Sequence, residues 1–394
     1  MPVQERSPAA VESAPRFAVV DTDVHPAWNP ADERLLAHMP ERWRDYLAHI
    51  GVRTGLERPR HRSHACRWDA TPPDGGGPGS APAFAAEQLI DRYGMSAAVL
   101  NDIGAFMVSN GKGQPAELCV AFNRALNEHR RETWFEADPR WHASISVAHE
   151  LPEQAAAEIR RCREETGPHC DRWVQVLLPP DNERPAGHPR YWPIYEAAEH
   201  YGIPVAFHVL SSRKLTPSGG PSYYFEEHCD FAGFNFPLVS SLVFEGVFER
   251  FPRLRVALIE LGWSWVVPLA WRLDHAYRVL RREVPHLERL PSEYVRDHLW
   301  YSTQPMEEPE GNVEFDDVLE VFEQSGMADK LMYSSDYPHW DFDAPTSLPR
   351  SLQRDETRAR RILGENAGAL YGFDLSVGDG VVFEAGGGPP GRGR

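Results

Sequence analysis

Cysteine is scarce in this sequence, and its five residues are scattered along the chain. None belongs to a CxxC pair, so their number and spacing predict neither a disulfide framework nor a thiolate zinc site. No window offers the roughly 18 consecutive apolar residues that a membrane-spanning helix needs, and the first residues carry charges and prolines where a secretory signal would be apolar. We therefore expect a cytoplasmic protein that does not span a membrane.

Positive charge is also in short supply. Lysine and arginine together number 41, against 58 aspartate and glutamate residues, which gives a formal net charge of −17. An acidic protein of this kind repels the phosphate backbone of nucleic acids and anionic membrane surfaces. We expect neither as a partner, and a small molecule is the expected substrate.

The composition otherwise suits one large globular domain. With 42% hydrophobic and 25% charged residues, the chain can bury a core without disulfides. Residues 1–15 and 374–394 lack hydrophobic periodicity and are predicted to be tails. Residues 51–82 are too polar and too rich in proline and glycine to pack as a regular element, so they form either a disordered insertion or an active-site lid. The folded domain is expected to span residues 16–373.

Short apolar and β-branched runs alternate with helical patterns along this domain. Eight runs are predicted to be strands: FAVVDTDVH, SAAVLNDI, WHASISV, WVQVLLPP, IPVAFHVL, LRVALIEL, LWYSTQPM and KLMYSSDYPH. Eight strands with intervening helices predict a (β/α)8 TIM barrel with inserted loops. The alternative is an open doubly wound sheet, which is disfavoured because no GxGxxG motif for a dinucleotide follows the first strand.

Polar residues stand where several of these strands end, which is where a barrel carries its functional groups. Asp23 and His25 end the first strand, His208 the fifth, Glu260 the sixth and Asp336 the eighth. Asp23 and His25 are two residues apart, so on a strand their side chains face the same side and can coordinate one metal ion. A bound cation would also offset the cost of burying a carboxylate in an apolar barrel. The alternatives are a turn-capping Asp23, a hydrogen-bonded core His208 and a plain turn at Asp336.

Two carboxylates and two imidazoles make a mixed nitrogen and oxygen site that suits Zn(II), Fe(II) or Mn(II). We expect one divalent ion, with zinc as the first choice and iron or manganese as alternatives. Such an ion, with one open coordination position, generates hydroxide from water at neutral pH. Asp336 or Glu260 would then act as the general base. Glu260 is alternatively a fifth metal ligand, or a carboxylate paired with Arg253 or Arg255.

The order and spacing of these motifs resemble the amidohydrolase superfamily, in the branch that includes aminocarboxymuconate-semialdehyde decarboxylase and related metal-dependent hydrolases. The resemblance runs from about Phe17 to Phe373. It rests on the D-x-H pattern that ends the first strand, on His208, and on the stretches FEGVFERFPRLRVALIELG, SSDYPHWD and ILGENAGALYGF.

The resemblance implies metal ligands at Asp23, His25, His208 and Asp336. Two departures from the superfamily pattern bear on the chemistry. The fourth strand ends VQVLLPP, without the lysine that bridges two metals in binuclear members, so a single metal is expected. Glu260 stands where decarboxylase members usually carry a histidine after the sixth strand.

Three functions are therefore open. The first expectation is a mononuclear hydrolase that cleaves an amide, ester, thioester or C–C acyl bond of a small, largely apolar organic acid derivative. The alternative is a metal-dependent, non-oxidative decarboxylase of a small carboxylic acid. The third is a binding protein that the metal stabilises and that turns over no substrate.

Further residues near the strand ends are candidates for substrate contact. An aromatic segment follows the fifth strand, with Tyr224 as a candidate for substrate contact and His228 as a candidate for a catalytic acid. Trp263 and His339 are predicted to line the pocket, with packing at the barrel rim as the alternative for Trp263. His339 can alternatively orient Asp336. The aromatic segment is alternatively a contact between subunits, and a homodimer is expected.

Overall fold

The computed structural model describes residues 16–29, 31–50, 66–106, 114–209, 222–229, 233–306, 308–309 and 311–383. Ten strands occur in these residues, and eight of them form one parallel sheet in chain order, from β2 to β9. The strands are β1 (Arg16–Phe17), β2 (Val20–Val24), β3 (Ala97–Leu100), β4 (Trp141–Ser146), β5 (Trp173–Leu178), β6 (Val205–His208), β7 (Val256–Ile259), β8 (Leu299–Ser302), β9 (Leu331–Met332) and β10 (Val381–Val382).

The last strand of the parallel sheet returns to the first. The Thr22 N–H donates to the Tyr333 carbonyl at 3.1 Å, and the His25 N–H donates to the Tyr337 carbonyl at 2.7 Å. These bonds join the chain after β9 to β2 and close the sheet into a barrel. The (β/α)8 barrel predicted from the sequence is confirmed, and the open doubly wound sheet is wrong.

Helices surround the barrel. The α-helices of the described residues are α1 (Glu33–Ala37), α2 (Glu41–Ile50), α3 (Pro82–Ala85), α4 (Ala116–Arg130), α5 (Pro152–Glu164), α6 (Trp192–Tyr201), α7 (Tyr224–Cys229), α8 (Asn235–Phe244), α9 (Val247–Arg250), α10 (Val266–Leu280), α11 (Pro291–His298), α12 (Phe315–Phe322), α13 (Arg350–Arg354), α14 (Glu356–Arg360) and α15 (Asn366–Tyr371). Turns of π-helix extend α3, α4, α12 and α14, at Ala86–Asp91, Arg131–Phe135, Glu323–Met327 and Arg361–Glu365. Within the described residues, no helix has the length and apolar character needed to cross a membrane.

Side chains along a barrel strand alternate between the surrounding helices and the barrel interior. Val205 and Phe207 of β6 pack in the hydrophobic cluster that the strands share with the helices, whereas Ala206 packs in a separate cluster inside the barrel. Because successive side chains of a strand point to opposite faces, the alternation directs His208 inward. The strand therefore delivers an imidazole to the carboxyl end of the barrel.

The chain beyond residue 373 differs from the tail predicted for residues 374–394. β10 pairs with β1, Val381 is buried, and the Phe383 ring lies 5.1 Å from the Phe17 ring. The apolar run that forms β10 is too short to give a periodic signal, so the glycines and prolines around it suggested a tail. Residues 384–394 and the predicted tail at 1–15 lie outside the described residues.

The predicted insertion at residues 51–82 is described from residue 66 onward. Its backbone packs against the loops that follow β2 and β9. The Arg67 N–H donates to the Pro338 carbonyl at 2.9 Å, and the Ala27 N–H donates to the Gly79 carbonyl at 2.9 Å. These loops adjoin His25 and Asp336, so residues 66–82 lie near the candidate ligands. Residues 51–65 lie outside the described part, and the lid stays a prediction.

Replacing Gly380 by alanine is expected to destabilise the protein. Gly380 has a φ of +68°, and an added Cβ atom would lie 2.4 Å from the Phe17 carbonyl oxygen. Left-handed backbone costs roughly 1–2 kcal/mol for a residue with a Cβ atom, and the clash adds to that cost. Gly202→Ala is the matched control, because Gly202 has a φ of +64° and open space around it. Thermal melts should give Gly380→Ala the lower Tm, and equal losses would contradict this close approach.

Candidate metal centre

The carboxyl ends of four barrel strands bring polar side chains together. Asp23 and His25 lie at the end of β2, His208 ends β6, Glu260 follows β7 and Asp336 follows β9. None of the five is more than 5% exposed. Their side chains form two overlapping groups whose ligand atoms lie within 4.8 Å of one another: Asp23, His25, His208 and Glu260; and His25, Glu260, Asp336 and His339.

His25 is held in one orientation by a backbone carbonyl. Its Nδ1 lies 3.0 Å from the carbonyl oxygen of Asn101, and because a carbonyl oxygen only accepts, Nδ1 carries the hydrogen. Nε2 therefore faces the carboxylates, at 3.5 Å from Asp23 Oδ1 and 2.7 Å from Asp336 Oδ1. This is the ring nitrogen that a metal ion would take.

His208 is oriented in the same way. Its Nδ1 donates to the carbonyl of Val209 at 2.5 Å, which leaves Nε2 for the site. That nitrogen lies 3.2 Å from Asp23 Oδ2 and 3.2 Å from Glu260 Oε2. The two imidazoles thus stand between carboxylates, with their ring centroids 5.0 Å apart.

Glu260 reaches the site through an unusual backbone conformation. Leu258 of β7 packs towards the helices and Ile259 packs inside the barrel, so a regular strand would direct the next side chain outward. Glu260 has a φ of +54°, in the left-handed region that residues with a Cβ atom rarely adopt. With this backbone conformation, the Glu260 side chain lies on the side of the site, where its Oε2 is 3.2 Å from His208 Nε2.

The predicted alternative, that Glu260 pairs with Arg253 or Arg255, is wrong. Arg253 lies 3.6 Å from Glu199. Arg255 instead donates to backbone carbonyls, among them that of Leu370 at 2.5 Å. The carboxylate of Glu260 is therefore a member of the site.

Asp336 also has left-handed backbone, with a φ of +59°. Its Oδ1 accepts hydrogen bonds from His25 Nε2 at 2.7 Å and from His339 Nδ1 at 2.6 Å. The His339 ring also stacks on the His25 ring, with centroids 4.4 Å apart. The hydrogen bond through which His339 is predicted to orient Asp336 is present, and His339 also lies within ligand distance of the second group.

Burial and mutual charge set the protonation of the site. Burial raises the pKa of Glu260 well above its usual value, and the negative charges of Asp336 and Asp23 add to this. Burial also opposes ionisation of Asp336, but the charge of His339 and the hydrogen bond from His25 hold the pKa of Asp336 well below its usual range. For His25, burial favours the neutral ring, yet the charge of Asp23 and the hydrogen bond to Asp336 raise its pKa to about 9.

This donor set fits a divalent metal ion. Imidazole nitrogens and carboxylate oxygens are ligands that Zn(II), Fe(II) and Mn(II) accept. Asp336 Oδ2 is buried and has no hydrogen-bond partner among the described residues, and a cation would satisfy it. β5 ends at Leu178 and is followed by two prolines, so a bridging lysine is not supplied there and one metal ion remains the prediction.

A second polar cluster lies beside the metal centre. His228 Nε2 lies 2.9 Å from Asp341 Oδ2, and the same oxygen accepts from Gln304 Nε2 at 2.7 Å. The Trp340 ring lies 5.7 Å from the His228 ring. Tyr224 begins α7, but its side chain lies outside the described part of the structure, so its predicted contact with substrate stays a prediction.

The substrate contact predicted for Trp263 is not supported. Its side chain is fully buried, and its ring packs against Phe315 and Phe322 at 5.7 and 5.3 Å. Both partners belong to α12, so Trp263 is part of the core between barrel and helices. The prediction that Trp263 lines the pocket rests on its nearness to Glu260 along the chain. Its side chain instead points away from the barrel interior, towards the helices.

Asn101 is a site residue that the sequence analysis did not identify. It follows β3, its Nδ2 donates to Asp23 Oδ1 at 2.8 Å, and its carbonyl oxygen accepts from His25 Nδ1. One residue therefore contacts two candidate ligands. The strand-end rule used for the other residues applies to Asn101 as well, so a polar residue directly after AAVL was the available signal.

The sequence profile of the family described as Amidohydrolase matches residues 20–373. This range includes every candidate ligand. A search of curated protein sequences finds no significant match.

Several solved structures share the fold. An amidohydrolase from Mycobacterium avium subsp. paratuberculosis has 20% sequence identity and a TM-score of 0.65, over 92% of this chain and 100% of that chain. The 5-carboxyvanillate decarboxylase of Sphingomonas paucimobilis has 18% identity and a TM-score of 0.63, over 91% and 100%. A dihydroxybenzoic acid decarboxylase from a Polaromonas species, solved with manganese and the inhibitor 2-nitroresorcinol, has 18% identity and a TM-score of 0.58, over 90% and 97%.

The purified protein is expected to contain about one equivalent of zinc, iron or manganese, as a mononuclear site of this donor set holds. The Asp23→Ala/His208→Ala double variant should lose the metal, since it removes two of the four ligands. Asp341→Asn is the control, because Asp341 lies outside both ligand groups, and this variant should keep the metal. Elemental analysis by mass spectrometry measures all three proteins. A metal-free wild type, or a double variant that retains the ion, would contradict the site.

Metal binding is expected to strengthen as the pH rises towards about 9. In protein stripped of metal, His25 has its pKa raised to about 9, so it carries a proton at pH 7 that the ion must displace. Raising the pH removes that proton beforehand and so increases the apparent affinity. Titration calorimetry at pH 7 in two buffers of different ionisation enthalpy measures the released proton. A binding heat that does not depend on the buffer would mean that no proton is released, and would contradict this prediction.

Proposed function

Because the chain belongs to the amidohydrolase family, we propose that it is a metal-dependent enzyme that decarboxylates a small carboxylic acid without an oxidant. The observation that carries the proposal is the pair of His228 and Asp341 beside the candidate metal centre. Two of the similar structures are decarboxylases, which supports it. Decarboxylation, the alternative predicted from the sequence, is therefore preferred to hydrolysis. In the reaction the substrate carboxylate leaves as carbon dioxide, and a proton takes its place on carbon.

Asp23, His25, His208 and Asp336 are the proposed metal ligands, with Glu260 beside them as a fifth donor. A bound divalent ion would supply a Lewis acid that holds substrate oxygens and withdraws electron density from the carbon that loses carbon dioxide. The ligand side chains are buried, so a substrate carboxylate gives up its hydration on entry. Loss of carbon dioxide leaves the electron pair on the substrate carbon, and protonation of that carbon then removes the buried negative charge.

His228 is the proposed proton donor. Its hydrogen bond to Asp341 raises the pKa of His228, against the opposing effect of burial, and the charges of Asp341 and Asp336 add to the rise. His228 therefore keeps its proton to higher pH than an ordinary histidine, and it can place that proton on the substrate carbon. Its side chain is 16% exposed, so solvent can restore the proton after each turnover.

The surroundings of His228 suit a planar, apolar substrate. Trp340 is 52% exposed, and its ring lies 5.7 Å from the His228 ring. An aromatic side chain with an open face packs well against a flat ring, while the polar groups fix its orientation. We propose an aromatic carboxylic acid as the substrate class, with His339 and Tyr224 as further candidates for contact.

Hydrolysis remains the second candidate because of one observation on Asp336. Its Oδ2 has no hydrogen-bond partner among the described residues, and its pKa is held low by the neighbouring imidazoles despite burial. An ionised carboxylate of this kind can take a proton from an attacking water molecule. The two candidates differ in their products.

Metal-loaded protein is expected to release carbon dioxide from a hydroxylated benzoic acid. In D2O, a solvent deuterium should appear on the carbon that carried the carboxylate, because the proton donor exchanges with solvent. Mass spectrometry of the products from a panel of hydroxybenzoates and acyl esters measures both events. Incorporation of ¹⁸O from labelled water into an acid product, without carbon dioxide, would instead establish hydrolysis. If the protein binds metal but converts no compound of either panel, the result would favour the third function, a metal-stabilised binding protein without turnover.

His228→Asn is expected to lower kcat by roughly 10²–10⁴, the usual contribution of a general acid, and to leave the metal content unchanged. In the wild type, activity should fall as the pH rises through the raised pKa of His228, because the reaction needs its protonated form. His49→Asn, on the exposed face of α2, is the matched control. Steady-state kinetics across pH provide the test, and an unchanged kcat in His228→Asn would rule out this role.

A further inference from the structure

A cavity lies at the end of the barrel opposite the metal centre. Its volume is about 710 Å³, and it is lined by residues at the amino ends of the strands, including Ala97, His142, Val174 and Pro204. Tyr371, the last residue of α15, also lines this cavity. The phenol of Tyr371 points from there into the barrel, where its hydroxyl donates to Gln175 Oε1 at 2.8 Å.

A continuous chain of hydrogen bonds leads from Tyr371 to the metal centre. Gln175 Nε2 donates to Asn101 Oδ1 at 2.9 Å and to Ser144 Oγ at 2.9 Å. Ser144 Oγ donates to Asn101 Oδ1 at 2.5 Å, and Asn101 Nδ2 donates to Asp23 Oδ1 at 2.8 Å. Gln175, Ser144 and Asn101 are fully buried. The chain therefore crosses the barrel from one end to the other.

Each hydrogen bond in this chain fixes the direction of the next. The phenol of Tyr371 brings a hydrogen to Gln175 Oε1, which turns the amide nitrogen of Gln175 towards Asn101. That donor and the Ser144 hydroxyl both occupy Asn101 Oδ1, and so leave the amide nitrogen of Asn101 facing Asp23 Oδ1 and the Thr22 carbonyl. An inverted Asn101 would place its oxygen against the carboxylate of Asp23, which is repulsive in a buried site.

We propose that Tyr371, Gln175 and Asn101 act as a positioning relay that orients the candidate ligands Asp23 and His25, so that metal affinity depends on a hydroxyl at the opposite end of the barrel. Asn101 contacts both ligands, through its side chain and through its carbonyl. Outer partners of this kind set the orientation and affinity of metal ligands. The inference rests on the metal centre of the proposed function and not on its reaction.

The test compares metal affinity in Tyr371→Phe, Gln175→Met and the double variant. Tyr201→Phe is the matched control, because Tyr201 lines the same cavity but donates to Glu164, outside the relay. We expect Gln175→Met to weaken Mn²⁺ binding about 10- to 100-fold, because it releases Asn101, the outer partner of Asp23 and His25. Tyr371→Phe should weaken it by about tenfold or less, since it removes one neutral hydrogen bond. In the Gln175→Met background, Tyr371→Phe should have no further effect, because the relay is already broken.

A chelator competition assay gives the Mn²⁺ dissociation constants, and the visible spectrum of Co²⁺-loaded protein reports the ligand arrangement. The relay is supported if Tyr371→Phe changes the Co²⁺ spectrum while its Tm equals that of the Tyr201→Phe control. Affinity and spectrum like the wild type in Tyr371→Phe would overturn it, as would a loss that persists in the Gln175→Met background. A wild type that binds no metal would overturn the metal centre and the relay together. Tight binding by the wild type with an unaffected Tyr371→Phe would overturn the relay alone.

Discussion

The cost of burying three carboxylates together constrains the rest of this structure. Asp23, Glu260 and Asp336 are each at most 5% exposed, and an uncompensated buried charge costs several kcal/mol even after relaxation. The imidazoles of His25 and His208 lie between these groups, and backbone carbonyls fix both rings. A divalent cation at the same place would compensate the remaining charge. The imidazoles thus compensate part of the buried charge, and the proposed cation would compensate the rest.

The same constraint accounts for the strained backbone. Glu260 and Asp336 have φ values of +54° and +59°, and no other non-glycine residue of the described chain has a positive φ. Each such conformation costs roughly 1–2 kcal/mol. Local hydrogen bonds offset part of this cost, since the Glu260 N–H donates to Ser302 Oγ at 2.9 Å. Among the described non-glycine residues, positive φ is confined to two carboxylates of one cluster, which supports the proposal that this cluster is the functional part of the barrel.

The sequence predicted the parts of the site that follow from strand geometry. Parallel strands of a closed barrel end at the same face, so polar residues that stop an apolar run must meet there, as Asp23, His208 and Asp336 do. Side-chain direction beyond the strand end does not follow from this rule. The left-handed backbone at Glu260 and at Gly262 redirects the chain, which is why Trp263 enters the core. The strand-end rule marks Asn101 as a candidate, but its contacts with Ser144 of β4 and Gln175 of β5 follow from packing that no local pattern encodes.

The choice between decarboxylation and hydrolysis depends on which residue can move a proton. Oδ1 of Asp336 accepts from His339 Nδ1, a bond that metal binding at His25 Nε2 would leave in place, and Oδ2 is the atom offered to a metal. As a ligand, Asp336 has no further oxygen with which to take a proton from water. His228 lies outside both ligand groups, and its bond to Asp341 keeps it protonated over a wider pH range. If the carboxylates bind the metal and His228 keeps its proton, as proposed, this centre can supply a proton more readily than remove one, and supplying a proton to carbon is what decarboxylation requires.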